Sequence, residues 1–223
     1  QAIALDFLNL EQLVADEDLL GLHGDQRWEK VLSNIKTRKL AFESRVNKPL
    51  QISLETIYEN DQRVRRDLNE NARSFGRSSE QFKASLVRVG EADQQNLALV
   101  TEILDRHGWL SRKLVGPKAN SALFLVIQHS PLETQKKYQP LLKLAVSAGA
   151  ADKRELAMLD DRIAVAEGRP QRYGTQIHIG ADGTASVPAV ESPELLDERR
   201  DEVDLPPMSE YLKNWALSWP MSK

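Results

Sequence analysis

Gly116-Pro117-Lys118-Ala119-Asn120-Ser121-Ala122-Leu123-Phe124-Leu125-Val126-Ile127-Gln128-His129 opens with proline at a permitted first-turn position and is apolar on every face from Ala119 to Ile127. A helix of that kind must be surrounded by other helices, because a solvent-facing side would carry polar residues. It is therefore expected at the centre of a mainly α, multi-helix bundle. Toward the C-terminus, Pro131 starts a helix through Tyr138, Leu141, Leu142 and Ala145 that closes near Gly149. Asp152 with Glu155 then reads as a cap for a helix through Leu156, Leu159 and Ile163, ended by Gly168.

Toward the N-terminus, Gly108 stops a long helix. Ser78 with Gln81 reads as its capping box, and its stripe is Phe82, Leu86, Val89, Asp93, Asn96, Val100 and Leu104. Before it, Pro49 introduces a helix through Leu54, Ile57, Tyr58, Asp61, Arg65 and Leu68, with a loop expected over 69–77. Residues 1–48 read as an N-terminal helical pair, from Leu5 to Val14 and through Trp28, Val31, Leu32 and Ile35. The remainder, 49–223, reads as one helical domain. It carries a C-terminal β-hairpin near 171–190, with strands over Tyr173–Ile179 and Thr184–Val190 around Gly180-Ala181-Asp182-Gly183, packed on the helices and followed by short helices near Leu195–Val203 and Ser209–Leu217.

Thirty basic and 33 acidic residues leave a net charge of −3 and are well interspersed, which argues against nucleic acid as a partner. No apolar run approaches the roughly 20 residues of a spanning helix. With no cysteine, thiolate metal sites, cysteine nucleophiles and disulfides are excluded. A chain starting at Gln1 without methionine favours a processed, periplasmic or secreted protein over a cytoplasmic one.

The polar residues on otherwise apolar faces carry the functional information. Asp61 and Arg65 follow Ile57 at four-residue steps, and Asp93 with Asn96 repeats the arrangement on the long helix. Gln128 and His129 end the central helix, while Asp161 and Arg162 stand among Leu156, Leu159 and Ile163. An unpaired carboxylate in an apolar interior costs several kcal/mol, so these groups must form a satisfied structural network or line a cleft. In the second case they form a pocket for a small polar molecule. Imidazole titrates near neutral pH, so His129 is the candidate general base or acid, with Asp61 or Asp161 orienting it. Arg65, Asp93, Asn96, Gln128, Arg162, Tyr173 and Gln176 would then bind the ligand.

His129 with Asp61, Asp93 and Asp161 would suit Mg²⁺, Mn²⁺ or Fe²⁺ better than structural zinc, although no His-x-x-x-His or Glu-x-x-His pair accompanies them. No Gly-x-Ser-x-Gly elbow surrounds Ser111, Ser130 or Thr175, and no glycine-rich loop precedes a lysine, so neither a serine hydrolase nor a nucleotide site is indicated. Strand alternation places Gln171, Tyr173 and Thr175 on one face, as a pocket rim or a clamp for the hairpin. Trp28, Trp109, Trp215 and Trp219 read as core or loop anchors, and Lys136-Lys137 and Arg199-Arg200 as solvated helix faces.

Gly108-Trp109, Gln128-His129, Asp161-Arg162-Ile163 and Gln171-Arg172-Tyr173-Gly174-Thr175-Gln176 together resemble an uncharacterised bacterial family, domain of unknown function family 6624. The resemblance runs from about Leu54 to Leu212 and takes in Asp61-Gln62, Arg65, Asp93, Asn96, Asp197-Glu198-Arg199-Arg200, Leu205-Pro206-Pro207 and Glu210-Tyr211-Leu212. Leu110 stands where the family usually has proline after Gly-Trp. The resemblance implies no substrate, cofactor or catalytic assignment, so the site rests on its residues. The alternative function is a noncatalytic protein-interaction module whose polar core is purely structural.

Overall fold

The computed structural model describes residues 10–180 and 183–219. Their contacts divide into two compact units that part between Lys48 and Pro49. In the first, α1 (Leu10–Ala15) and a short 3-10 turn (Glu17–Leu22) precede α2 (Gln26–Glu43), which Asp25 caps by accepting from the Arg27 amide. His23 stacks on Trp28 with ring centres 4.6 Å apart. The part of the first expected helix that covers Leu5–Asn9 lies outside the described residues.

The second unit is built on two 28-residue helices, α3 (Lys48–Phe75) and α4 (Glu80–His107). Hydrogen bonds join Asn60 to Asn96, Arg65 to Asp93 and Asn71 to Ser85, so the residue number rises in one helix as it falls in the other. The two are antiparallel neighbours along a polar seam. Helix α3 runs to Phe75, well beyond Leu68, because Asn71 still finds a partner across that seam. The α4 cap is Ser79 rather than Ser78: its hydroxyl accepts from the Phe82 amide at 3.2 Å, three residues on. The buried line of α4 is Ser85, Ala92, Asn96, Val100 and Leu104, which turns Leu86 out to solvent.

A single turn, α5 (Arg112–Val115), leads into α6 (Pro117–His129). Ala119, Ala122, Leu123 and Ile127 have no exposed surface. Around α6 pack Leu54 and Ile57 of α3, Val100 and Leu104 of α4, Tyr138 and Leu142 of α7 (Leu132–Ser147), and Leu159 and Ile163 of α8 (Lys153–Ala166). Each such side chain taken from water contributes roughly 1.5–3 kcal/mol before chain entropy is counted. The all-apolar helix is central because no face of it tolerates water. No described helix is long and apolar enough to cross a membrane.

Asp152 caps α8, accepting from the Arg154 amide and from the guanidinium groups of Arg154 and Arg112. Burial alone would raise its pKa, but those hydrogen bonds and charges hold it down to about 2. Glu155, in the first turn of α8, shows the opposite balance. It is 7% exposed, Ser121 donates to Oε1, and Oε2 has no partner among the described residues. Burial pushes this carboxyl up to about 7.

The hairpin is real but shorter than its sequence suggests: β1 (His178–Ile179) pairs antiparallel with β2 (Ala185–Ser186), and Gln171 makes an isolated parallel bridge to Val190. Part of its tip, residues 181–182, lies outside the described residues. The long first strand over Tyr173–Ile179 is absent because Asp161 takes its backbone donors. The fully buried Asp161 carboxylate accepts from the amides of Arg172 (2.7 Å), Tyr173 (3.0 Å) and Thr175 (2.9 Å) and from the Thr175 hydroxyl (2.9 Å). Gly174 lets the loop bend, with φ of +65°, and a Cβ there would stand 3.2 Å from Met208. The expected alternation of Gln171, Tyr173 and Thr175 is broken accordingly.

Below the hairpin, α9 (Leu196–Glu202), α10 (Met208–Tyr211) and a 3-10 turn (Leu212–Trp215) enclose a small apolar centre of Leu196, Met208 and Leu212 with Ile177, Val187 and Val190. Arg199 and Arg200 are not a solvated face. They are 8% and 1% exposed and donate to backbone carbonyls: Arg199 to Arg172, Glu191 and Ser192, and Arg200 to Tyr173 and Pro206. A loop without a ladder leaves carbonyls that need donors, and guanidinium groups supply several at once. Trp215 remains 40% exposed.

Removing the Asp161 carboxylate strands four donors, so Asp161→Ala should lower unfolding free energy by about 3–5 kcal/mol, measured by urea denaturation. The Glu155 carboxyl predicts a pH effect of definite sign. Between its ordinary value of 4.5 and about 7, the folded state holds a proton that the unfolded chain has released, so stability falls as pH rises through that window. Glu155→Gln should match wild type near pH 4.5 and exceed it at pH 8 by on the order of 3 kcal/mol, read from melting curves across pH.

Candidate functional site

Where α3, α4 and the end of α6 meet, Asp61, Arg65, Asp93 and His129 form one connected group. Asp61 and Arg65 lie one turn apart on α3, so both face the same neighbours. The Arg65 Nη2 donates to Asp93 Oδ1 at 2.8 Å and lies 3.4 Å from Asp61 Oδ1. Its Nε donates to His129 Nε2 at 3.4 Å. Since that nitrogen accepts, the ring proton sits on Nδ1, which donates to Asp61 Oδ1 at 3.1 Å. Gln62 donates to the other Asp61 oxygen at 2.9 Å.

Asp61 is 1% exposed, yet its carboxyl is held below the usual carboxylate range: burial pushes it up, and His129 with Arg65 more than reverses this. Asp93 and His129 also border a cleft of about 260 Å³, completed by Gly90, Gln94, Leu97, Val126, Ser130 and Pro131. The imidazole thus has one nitrogen against a buried carboxylate and the other against the Arg65 guanidinium, in a residue that borders the cleft. Several donors here have no acceptor among the described residues, namely Arg65 Nη1, Asn96 Nδ2 and, on α8, Arg162 Nε.

Asp61, Asp93 and His129 offer ligand atoms within 4.8 Å of one another, a spacing that a divalent cation could bridge. The Arg65 guanidinium touches all three, so a metal ion would have to displace it. The resident positive charge of this site is an arginine.

Of the residues the sequence nominates, Asp61, Arg65, Asp93 and His129 come together, with Asn96 beside them on α4. Asp161 does not join them; its oxygens are committed to the 172–175 loop. Gln176 belongs to that loop, donating to the Met158 carbonyl and the Thr175 hydroxyl, and the Tyr173 amide is an Asp161 donor. Gln128 contributes its carbonyl to Gln135. Arg162 lies near enough to Arg65 to feel its like charge. Gln62 and Asn60, which hold Asp61 and Asn96, were not singled out by sequence, although Gln62 stands inside the Asp61-Gln62 motif.

Residues 48–219 match the model of a family described as a family of unknown function, DUF6624. The chain belongs to that family. Neither a curated protein nor a solved structure matches it. All of the clustered residues fall inside the DUF6624 span. The geometry predicts that ¹⁵N-resolved NMR will find the His129 proton on Nδ1, and that Asp61→Asn will shift the tautomer balance toward Nε2.

Proposed function

We propose that this DUF6624 domain binds a small polar ligand in the cleft beside His129 and that Asp61 and His129 act as a proton-transfer pair in hydrolytic or group-transfer chemistry. The observation that carries the proposal is the Nδ1 contact to buried Asp61, which leaves Nε2 as the lone-pair nitrogen. Its present donor, Arg65 Nε, is at 3.4 Å, long for a hydrogen bond, so a bound water or hydroxyl at normal distance competes for it. His129 would take that proton as base, and Asp61 would stabilise the imidazolium formed. Arg65, Asp93 and Asn96 would position the ligand.

The competing reading, a noncatalytic interaction module, draws support from Asp161, whose four donors make a closed structural knot. It offers no reason for the buried, unpaired donors on Arg65, Asn96 and Arg162. Chromogenic carboxylate esters, phosphate esters and amides give the direct test. Turnover of one class, reduced about 10²–10⁴-fold in both His129→Ala and Asp61→Asn, is expected. No turnover of any class, with His129→Ala merely melting several degrees lower, would sink the catalytic reading in favour of the interaction module.

A further inference from the structure

Arg162 is a half-buried cation that lacks a counterpart among the described residues. It is half-buried on α8, directly after Asp161, yet among the described residues it makes no hydrogen bond or ion pair, and its Nε has no contact with water. Its charged neighbour is Arg65, and burial together with that like charge pushes the guanidinium below its ordinary pKa. A half-buried guanidinium whose Nε reaches neither water nor an acceptor is unfavourable by itself.

The surroundings give Arg162 access to solvent. Arg162 lines a groove of about 560 Å³ between α8 and the hairpin, with Val165, Ala166, Gln176, His178, Ser186 and Pro188. Guanidinium forks match the planar or tetrahedral oxygens of carboxylates and phosphates, and hydrogen bonds to such anions are roughly twice as strong as neutral ones.

We propose that Arg162 is an oxyanion seat: a small-molecule ligand carrying a carboxylate or phosphate group enters along the α8–hairpin groove and pairs with Arg162. The seat is a second site, independent of the proton-transfer reading. The oxyanion supplies the acceptor that the guanidinium lacks.

The test measures melting temperature and calorimetric binding with inorganic phosphate and with acetate, against potassium chloride of equal ionic strength, for wild type, Arg162→Met, Arg162→Lys and His129→Ala. Without added anion, Arg162→Met is expected to melt no lower than wild type, since it removes an uncompensated charge. Phosphate or acetate should raise the wild-type midpoint by several degrees, leave Arg162→Met unmoved, and bind Arg162→Lys about tenfold more weakly, because lysine lacks the fork. A response to phosphate alone identifies a phosphate-bearing ligand, and one to acetate alone a carboxylic acid. His129→Ala should retain the shift, so loss of the catalytic reading would leave the seat standing. Equal shifts in wild type and Arg162→Met, no shift with either anion, or a methionine variant several degrees less stable would each overturn the proposal.

Discussion

A carboxylate taken out of water must be met by donors, and two such groups organise this molecule. Asp61 at 1% and Asp161 at 0% exposure sit among aliphatic inward residues, Leu54, Ile57 and Val64 on α3 and Leu159 and Ile163 on α8. Each draws surrounding groups into position. Asp161 pulls the amides of 172–175 toward α8 and thereby decides that this segment is a loop. Asp61 takes the proton-bearing side of His129 and orients the ring at the end of the central helix.

The two carboxylates differ in what they leave available. Around Asp161 the donors are backbone amides and a hydroxyl, fixed by the chain, and the neighbouring Arg199 and Arg200 satisfy the carbonyls that the irregular loop exposes. The Asp161 carboxylate is thereby fully committed to the chain. Around Asp61 the donors are side chains, His129, Gln62 and Arg65, and of these His129 borders a cleft. Fully satisfied networks rigidify a fold and favour a unique core.

Buried polar atoms without a partner are spread over the described residues, and two of them belong to charged groups of α8. Glu155 retains an unpaired oxygen against α6, and its protonation links stability to pH without involving the cleft. Arg162 is the cationic equivalent, next in sequence to the best satisfied carboxylate and yet without a partner of its own.

The helical class, the central place of Ala119–Ile127, the Asp152 cap and the inward direction of Asp61, Asp93 and Asn96 were legible in one dimension, because helical periodicity and capping are local properties. The family was legible too, from an ordered string of short motifs. What stayed hidden depended on partners distant in sequence. Tyr173–Thr175 has strand-like residues, but a carboxylate on α8 outcompetes a neighbouring strand for their amides. Arg199-Arg200 reads as a surface pair until the loop above it presents bare carbonyls. Sequence alone could nominate Asp61 and Asp161 equally as partners of His129; only the tertiary structure chose between them. Both carboxylates face inward by periodicity, but which donors each meets depends on how helices far apart in the chain pack together.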